Sequence, residues 1–146
     1  MSTAQKQTLH SIRKEHVTRL PIRWDELDSN GHVNNKNYQG YLDEARMRAM
    51  RDWGFSMEIL RKEGFGPVIL SISLEFKREI SYPEEIRIES ELSVSSPTRA
   101  VFIQKILRES DSLLCCKAET DWVILDLNSK RPAKFLHAIG LEDSKL

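Results

Sequence analysis

The sequence lacks what would mark a nucleic-acid binder, a membrane span or a disulfide-stapled domain. Lys+Arg 22 balances Asp+Glu 22 across 146 residues, so no net field draws the chain to nucleic acid or to an acidic membrane. No basic block with interleaved aromatics occurs. The longest apolar runs are four or five residues, far below the ~20 that a membrane-spanning helix needs. The opening MSTAQKQTLHSIRKEH has no apolar stretch of signal-peptide length, so the expected location is cytoplasmic. Cysteine is confined to the adjacent Cys115 and Cys116. Neighbours in a strand point to opposite faces, so a bridge between them would be badly strained, and both are expected to be buried free thiols.

Metal and cofactor signatures are missing too. His10, His16, His32 and His137 have no ligand spacing, and no cysteine or carboxylate cluster completes a site. Gly64 to Pro67 (GFGP) lacks a flanking strand–helix unit and is expected to be a turn. No G-x-S-x-G elbow points to a Ser-His-Asp enzyme. The expectation is a reaction without metal or cofactor.

What is present suits one soluble domain: 40% hydrophobic and 30% charged residues, with no repeat and no linker. Residues 1–16 are expected to form an arm and 17–146 the domain. In VTRLPIRW, Leu20, Ile22 and Trp24 alternate with polar residues, which predicts a strand, with Pro21 at an edge or bulge. Tyr38, Tyr41, Leu42, Ala45, Ala49 and Trp53 recur at spacings of three and four, the stripe of a helix over 36–53, roughly 27 Å long. Gly54 suits its left-handed cap, and a short helix is predicted over 56–62. Alternation then predicts strands over 68–78, 85–94, 99–108 and 113–125, with a last helical turn over 133–139.

One strand, one long helix and four antiparallel strands make an α+β domain, a curled antiparallel five-stranded sheet wrapped around one helix. The strands over 99–108 and 113–125 carry apolar residues on both faces. A partner subunit is expected to cover the second face, giving a homodimer or homotetramer.

Between the first strand and the helix runs DSNGHVNNKNYQGYLDEAR, from Asp28 to Arg46. A carboxylate, an amide and an imidazole (Asp28, Asn30, His32) surround Gly31 just before a helix N-terminus, where free N–H groups and the helix dipole favour negative charge. Asn34 or Asn35 can cap the helix. Plainer readings stand beside this one. Asp28 can begin an Asx turn, Asn30-Gly31 can be an ordinary β-turn, and Tyr38 and Tyr41 fit the apolar stripe as packing residues. Glu79 and Arg78 can be a solvated strand end.

The motif D-x-N-G-H-V-N-N-x-x-Y-x-x-Y-x-D-E-A-R, with this order of elements, resembles the hotdog-fold thioesterases, in particular acyl-CoA thioesterases of the 4-hydroxybenzoyl-CoA type. The resemblance spans about residues 17–136 and includes AETDWVILDLNSKRPAKF. Its D-x-N-x-H-V-N-N core is also similar to that of plant acyl-ACP thioesterases, whose catalytic set implies Asp28, Asn30 and His32, with a further glutamate at Glu79. The resemblance implies hydrolysis of a thioester of coenzyme A or acyl carrier protein. Asp28 would be general base or nucleophile, and a backbone N–H near Asn35 would stabilise the oxyanion. Gly31 would let the backbone approach the substrate or take φ > 0. Trp24, Tyr38, Tyr41, Trp53 and Phe55 are candidate walls of an acyl pocket. Arg78, with Lys77, Arg99, Arg131 and Lys134, is a candidate for the phosphates of CoA. An enoyl hydratase or a non-catalytic acyl-thioester binder are the other readings the fold allows.

Overall fold

The long helix sets the architecture, because its apolar stripe requires a sheet to lie against. In the computed structural model, which describes residues 13–141, this helix (α1) spans Tyr38–Trp53 and buries Tyr38, Tyr41, Leu42, Ala45, Arg46, Ala49 and Met50. A 3-10 turn over Asn35–Asn37 leads into it, so the tightly wound start accounts for the two residues by which α1 falls short of the predicted Lys36. Gly54 (φ 98°) ends it in a Schellman motif, with the Gly54 N–H on the Arg51 carbonyl (3.1 Å) and the Phe55 N–H on that of Met50 (3.0 Å). Ser56 caps a second helix, α2 (Met57–Lys62).

The strands are β1 (Arg13–Pro21), β2 (Phe65–Phe76), β3 (Glu85–Val94), β4 (Arg99–Arg108), β5 (Leu114–Asp126) and the short β6 (Arg131–Pro132), followed by helix α3 (Phe135–Ala138). They form one antiparallel sheet in the order β1-β3-β4-β5-β2, with β6 against the end of β5. This is the curled sheet around a single helix that the alternation implied. Pro21 closes β1 at an edge, where its missing N–H costs no ladder bond.

Three details differ from the sequence reading. First, β1 already begins at Arg13, inside the expected arm; residues 1–12, His10 among them, lie outside the described residues. Second, Phe65, Gly66 and Pro67 belong to β2 rather than to a GFGP turn. Only Gly64 (φ 88°) makes the bend, and an edge strand tolerates Pro67. Third, the register of β2 against β5 slips between Ile69 and Ser71, a bulge at Leu70 that simple alternation could not reveal.

The inner face buries Ile86 and Ile88 of β3, Phe102 and Ile106 of β4, and Cys116, Ala118 and Trp122 of β5. Each fully buried side chain of this size contributes about 1.5–3 kcal/mol. The outer face is charged: Glu89 lies opposite Lys105, and Glu91 receives Arg13 (2.8 Å). Val101, Ile103 and Leu107 are only half-buried there. The expected apolar second face is therefore broken up by charge. Exposed apolar side chains run instead along the edge strand β2, at Val68, Ile69, Leu70 and Phe76.

Candidate active site

The loop between β1 and α1 is held by its own main chain. Leu27 bridges to Val33, the Asp28 N–H bonds the His32 carbonyl (2.7 Å), and the Gly31 N–H bonds the Asp28 carbonyl (3.1 Å). This is a type I turn closed by a left-handed residue, and Gly31 (φ 76°) fills the position that disfavours a side chain. The loop packs on the segment between β2 and β3: Val33 N–H reaches the Ile80 carbonyl (2.7 Å), and His32 bridges to Ser81. The site therefore sits where two chain segments meet, beside the start of α1.

Asp28 does begin an Asx turn. Its Oδ1 accepts the N–H groups of Asn30 (2.9 Å) and His32 (3.2 Å), while Oδ2 accepts no bond among the described residues. The half-buried carboxylate is thus fixed by one oxygen and keeps the other available. At the helix start, the Asn34 side chain takes the N–H of Lys36 (3.1 Å), and the N–H of Asn35, first in its turn, has no intrahelical partner. The Asn37 side-chain amide and the Asn34 N–H both bond the Glu26 carbonyl (2.9 Å each), tying the 3-10 turn Trp24–Glu26 to the helix start.

The other expected residues divide into those gathered here and those that are not. His32 is half-buried next to Asp28, and Asn30 is exposed at the turn. Tyr38 lies behind the loop, its ring edge-on to Phe76 (5.0 Å). Burial pushes its phenol up to about 12, helped by the Cys115 and Cys116 thiols and by the carboxylates of Glu79 and Asp28. Asp28 and Glu79 therefore act on one phenol, although the Glu79 side chain is exposed and its carbonyl is held by Arg108 (3.0 Å). Tyr41 is buried with its hydroxyl unbonded among the described residues, and burial together with the Glu26 carboxylate raises its phenol well above the usual range. Both tyrosines stay protonated and pack in the core, which suits walls rather than acids or bases.

Trp24 lies at the surface rather than in the packed core. It is 72% exposed and meets Tyr82 edge-on (5.8 Å), because the 3-10 turn swings it outward from the strand it extends in the sequence. Trp53 stacks on Phe102 (5.9 Å) and Phe55 is buried, both at the far end of α1 from Asp28. Arg78 is exposed in the segment between β2 and β3, two residues before Ile80, without an ion pair among the described residues, whereas Lys77 is paired with Glu75 (2.9 Å). Sequence reasoning missed Gln104, which joins helix to sheet by taking Arg46 (3.0 Å) and donating to the Leu42 carbonyl (3.1 Å) and Ser90 (3.0 Å). A polar residue at an inward position of the β4 alternation was the available signal.

A family model described as the thioesterase-like superfamily matches residues 22–140. The chain is similar to the acyl-CoA thioester hydrolase YbgC of Escherichia coli, with 26% identity over 126 residues, 85% of this chain and 93% of that protein. It is similar to the long-chain acyl-CoA thioesterase FadM of Escherichia coli at 24% identity over 114 residues, covering 78% and 86%. Among solved structures it resembles a DHNA-CoA thioesterase from Staphylococcus aureus with a TM-score of 0.75, at 22% identity over 84% of this chain and 82% of that one.

Proposed function

The chain belongs to the thioesterase-like superfamily, and from that premise we propose that it hydrolyses acyl-CoA thioesters at the Asp28 loop. The observation that supports this most is the state of Asp28: one carboxylate oxygen is fixed by two N–H groups, the other accepts no bond among the described residues, and a helix-start N–H with no intrahelical partner lies a few residues on. The thioester carbonyl points at the Asn35 N–H, and such a donor contributes about 3 kcal/mol to the tetrahedral transition state. Asp28 removes a proton from water or attacks the carbonyl carbon itself, releasing the CoA thiolate. His32 and Asn30 orient the water or the carbonyl. Glu79 is the second carboxylate at this mouth, and Arg78 meets the CoA phosphates. A cytoplasmic location goes with this reading. Among the described residues no helix is long and apolar enough to cross a membrane.

The test is Asp28→Asn, assayed by CoA release from a panel of acyl-CoAs, with acyl-ACP as a second carrier. Asn keeps the Oδ1 acceptor, so the fold holds while turnover falls at least about a hundredfold, roughly 2.7 kcal/mol. Undiminished turnover would remove Asp28 from the mechanism. In a single turnover in heavy-oxygen water, label in the Asp28 peptide marks direct attack with the anhydride opened at the Asp28 carbonyl carbon.

The functional unit is a homodimer joined along β2. Ile69 and Leu70 are 47% and 46% exposed on this edge. The other edge, β1, is blunted by Pro21 and by Arg13 and Arg19, which are paired with Glu91 and Glu109. Leu70→Lys should then yield a monomer by light scattering, while a dimer that persists places the contact elsewhere.

A further inference from the structure

Trp24 and Tyr82 form an aromatic pair on the surface, edge-on at 5.8 Å and 72% and 47% exposed. A single exposed ring is ordinary, but two in contact and held in place make a ready surface for a flat guest. The backbone that carries them is fixed. Trp24 opens the 3-10 turn Trp24–Glu26, where the Glu26 carboxylate accepts the Arg23 N–H (2.7 Å) and the Leu27 N–H closes on the Trp24 carbonyl (3.3 Å). The Ile22 N–H on the Glu84 carbonyl (2.8 Å) ties the two ring-bearing segments together. The rings are thus set before any guest arrives, which spares part of the ordering cost of binding.

Both segments are also tied to the Asp28 loop. The Glu26 carbonyl takes the Asn34 N–H and the Asn37 side-chain amide (2.9 Å each), and Ser81, next to Tyr82, pairs with His32. Asp28 follows Trp24 by four residues, at most about 14 Å of chain. In a CoA ester an extended pantetheine arm joins the thioester to the nucleotide, so a carbonyl held at Asp28 leaves the nucleotide on the surface around the loop. The nucleotide offers a flat base with polar edges, and phosphates. Stacking on exposed rings suits such a base, because it covers the faces and leaves the edges in water. An apolar acyl chain gains no such match in so wet a place. Arg78, four residues before Tyr82, and Lys36, at the helix start, are both exposed and supply charge for the phosphates.

We propose that Trp24 and Tyr82 seat the adenine of the substrate's coenzyme A, and so select CoA over carriers that lack the nucleotide. The inference rests on the thioester reading above. Its test presents the acyl group that is turned over fastest in the CoA-release panel as two substrates, the CoA thioester and the pantetheine thioester. The wild type favours the CoA ester in kcat/KM, and Trp24→Ala cuts that ratio about tenfold, chiefly through KM, as the loss of one base–aromatic stack allows. Trp24→Phe keeps a ring face and restores most of the ratio. The Tm of Trp24→Ala stays close to that of the wild type, since the side chain is 72% exposed. A wild type that treats both esters alike, or a ratio that survives Trp24→Ala, overturns the inference. So does an equal loss on both esters, which would make the pair a scaffold of the loop. A dimer that dissociates in Trp24→Ala with the ratio intact overturns it too, because the rings would then face a second copy. If no thioester is hydrolysed, the thioesterase reading fails by itself, and fluorescence decides the aromatic pair. Trp24 is the exposed tryptophan, with Trp53 half-buried and Trp122 buried. Saturable quenching by adenosine 3′,5′-bisphosphate that disappears in Trp24→Phe upholds the seat, and an emission that the nucleotide leaves unchanged overturns it.

Discussion

The two ends of α1 are built on different physics. At its start the chain is held by directional main-chain bonds: the Asp28 Asx turn, the Asn34 cap and the strap from Val33 to Ile80. At its finish, rings do the holding. Trp53 stacks on Phe102 (5.9 Å, 11° between planes), Phe102 on Trp122 (5.6 Å, 15°), and Trp122 meets Phe135 edge-on (5.1 Å). Hydrogen bonds fix where an atom points but add little net stability, about 1 kcal/mol each. Stacked, buried rings add much stability and leave the chemistry alone. The difference teaches that stability and activity should come apart by end.

The sharpest break of that comparison is Phe135→Ala. The side chain is fully buried against Trp122 and touches no part of the Asp28 loop. Truncating such a ring costs about 3–5 kcal/mol, which lowers the Tm by roughly 10 °C in a domain of this size. Turnover per folded molecule, measured well below the new Tm, should stay within about threefold of wild type, ~0.65 kcal/mol. A collapse of turnover would show that the ring column also positions the loop.

Alkaline pH should strike the other end. Burial holds the Tyr38 phenol at about 12 and the Cys116 thiol at about 11, both above their ordinary values, and Cys115 is shifted the same way. All three pack in the core beneath the helix start. An acid whose folded value is raised stays protonated in the native state after the unfolded chain has lost its proton. Its stabilisation is therefore complete below about pH 9 and declines as pH rises toward 11–12. Denaturant midpoints should fall steadily across that window, and Tyr38→Phe should flatten the fall. The ring column has no titratable group, so a decline of equal depth in Tyr38→Phe would place its origin elsewhere.

The same division decides what could be read from the sequence. The C-terminal end of α1, the short α2 and the alternating β3 and β4 were legible because periodicity and capping residues are local signals: Gly54 ends the helix as its type suggests, and Ile86, Ile88, Phe102 and Ile106 turn inward as alternation requires. The Asp28 loop was legible as a motif, down to the left-handed Gly31. Trp24 was not, because a 3-10 turn re-aims its side chain where strand alternation was assumed. The bulge at Leu70 depends on pairing with β5, which is distant in sequence. The burial of the Thr120 hydroxyl and the Trp122 indole N–H and the Arg46–Gln104 bond exist only once helix and sheet are stacked.

The smallest expected effect on stability tests the helix start most finely. In Asn34→Ala the Lys36 N–H loses its side-chain acceptor, at a cost of about 1 kcal/mol and a few degrees of Tm. The adjacent Asn35 N–H is then presented by a turn that frays, so kcat should fall further than stability does, by about tenfold, the reverse of Phe135→Ala. Asn34→Asp separates the two contributions, because aspartate caps as well as asparagine and restores the Tm. It also sets a carboxylate beside the N–H that must receive a developing oxyanion, so kcat should remain low although the cap is back. If both Tm and kcat recover in Asn34→Asp, the helix start is scaffold alone, and the oxyanion donor belongs to another part of the loop.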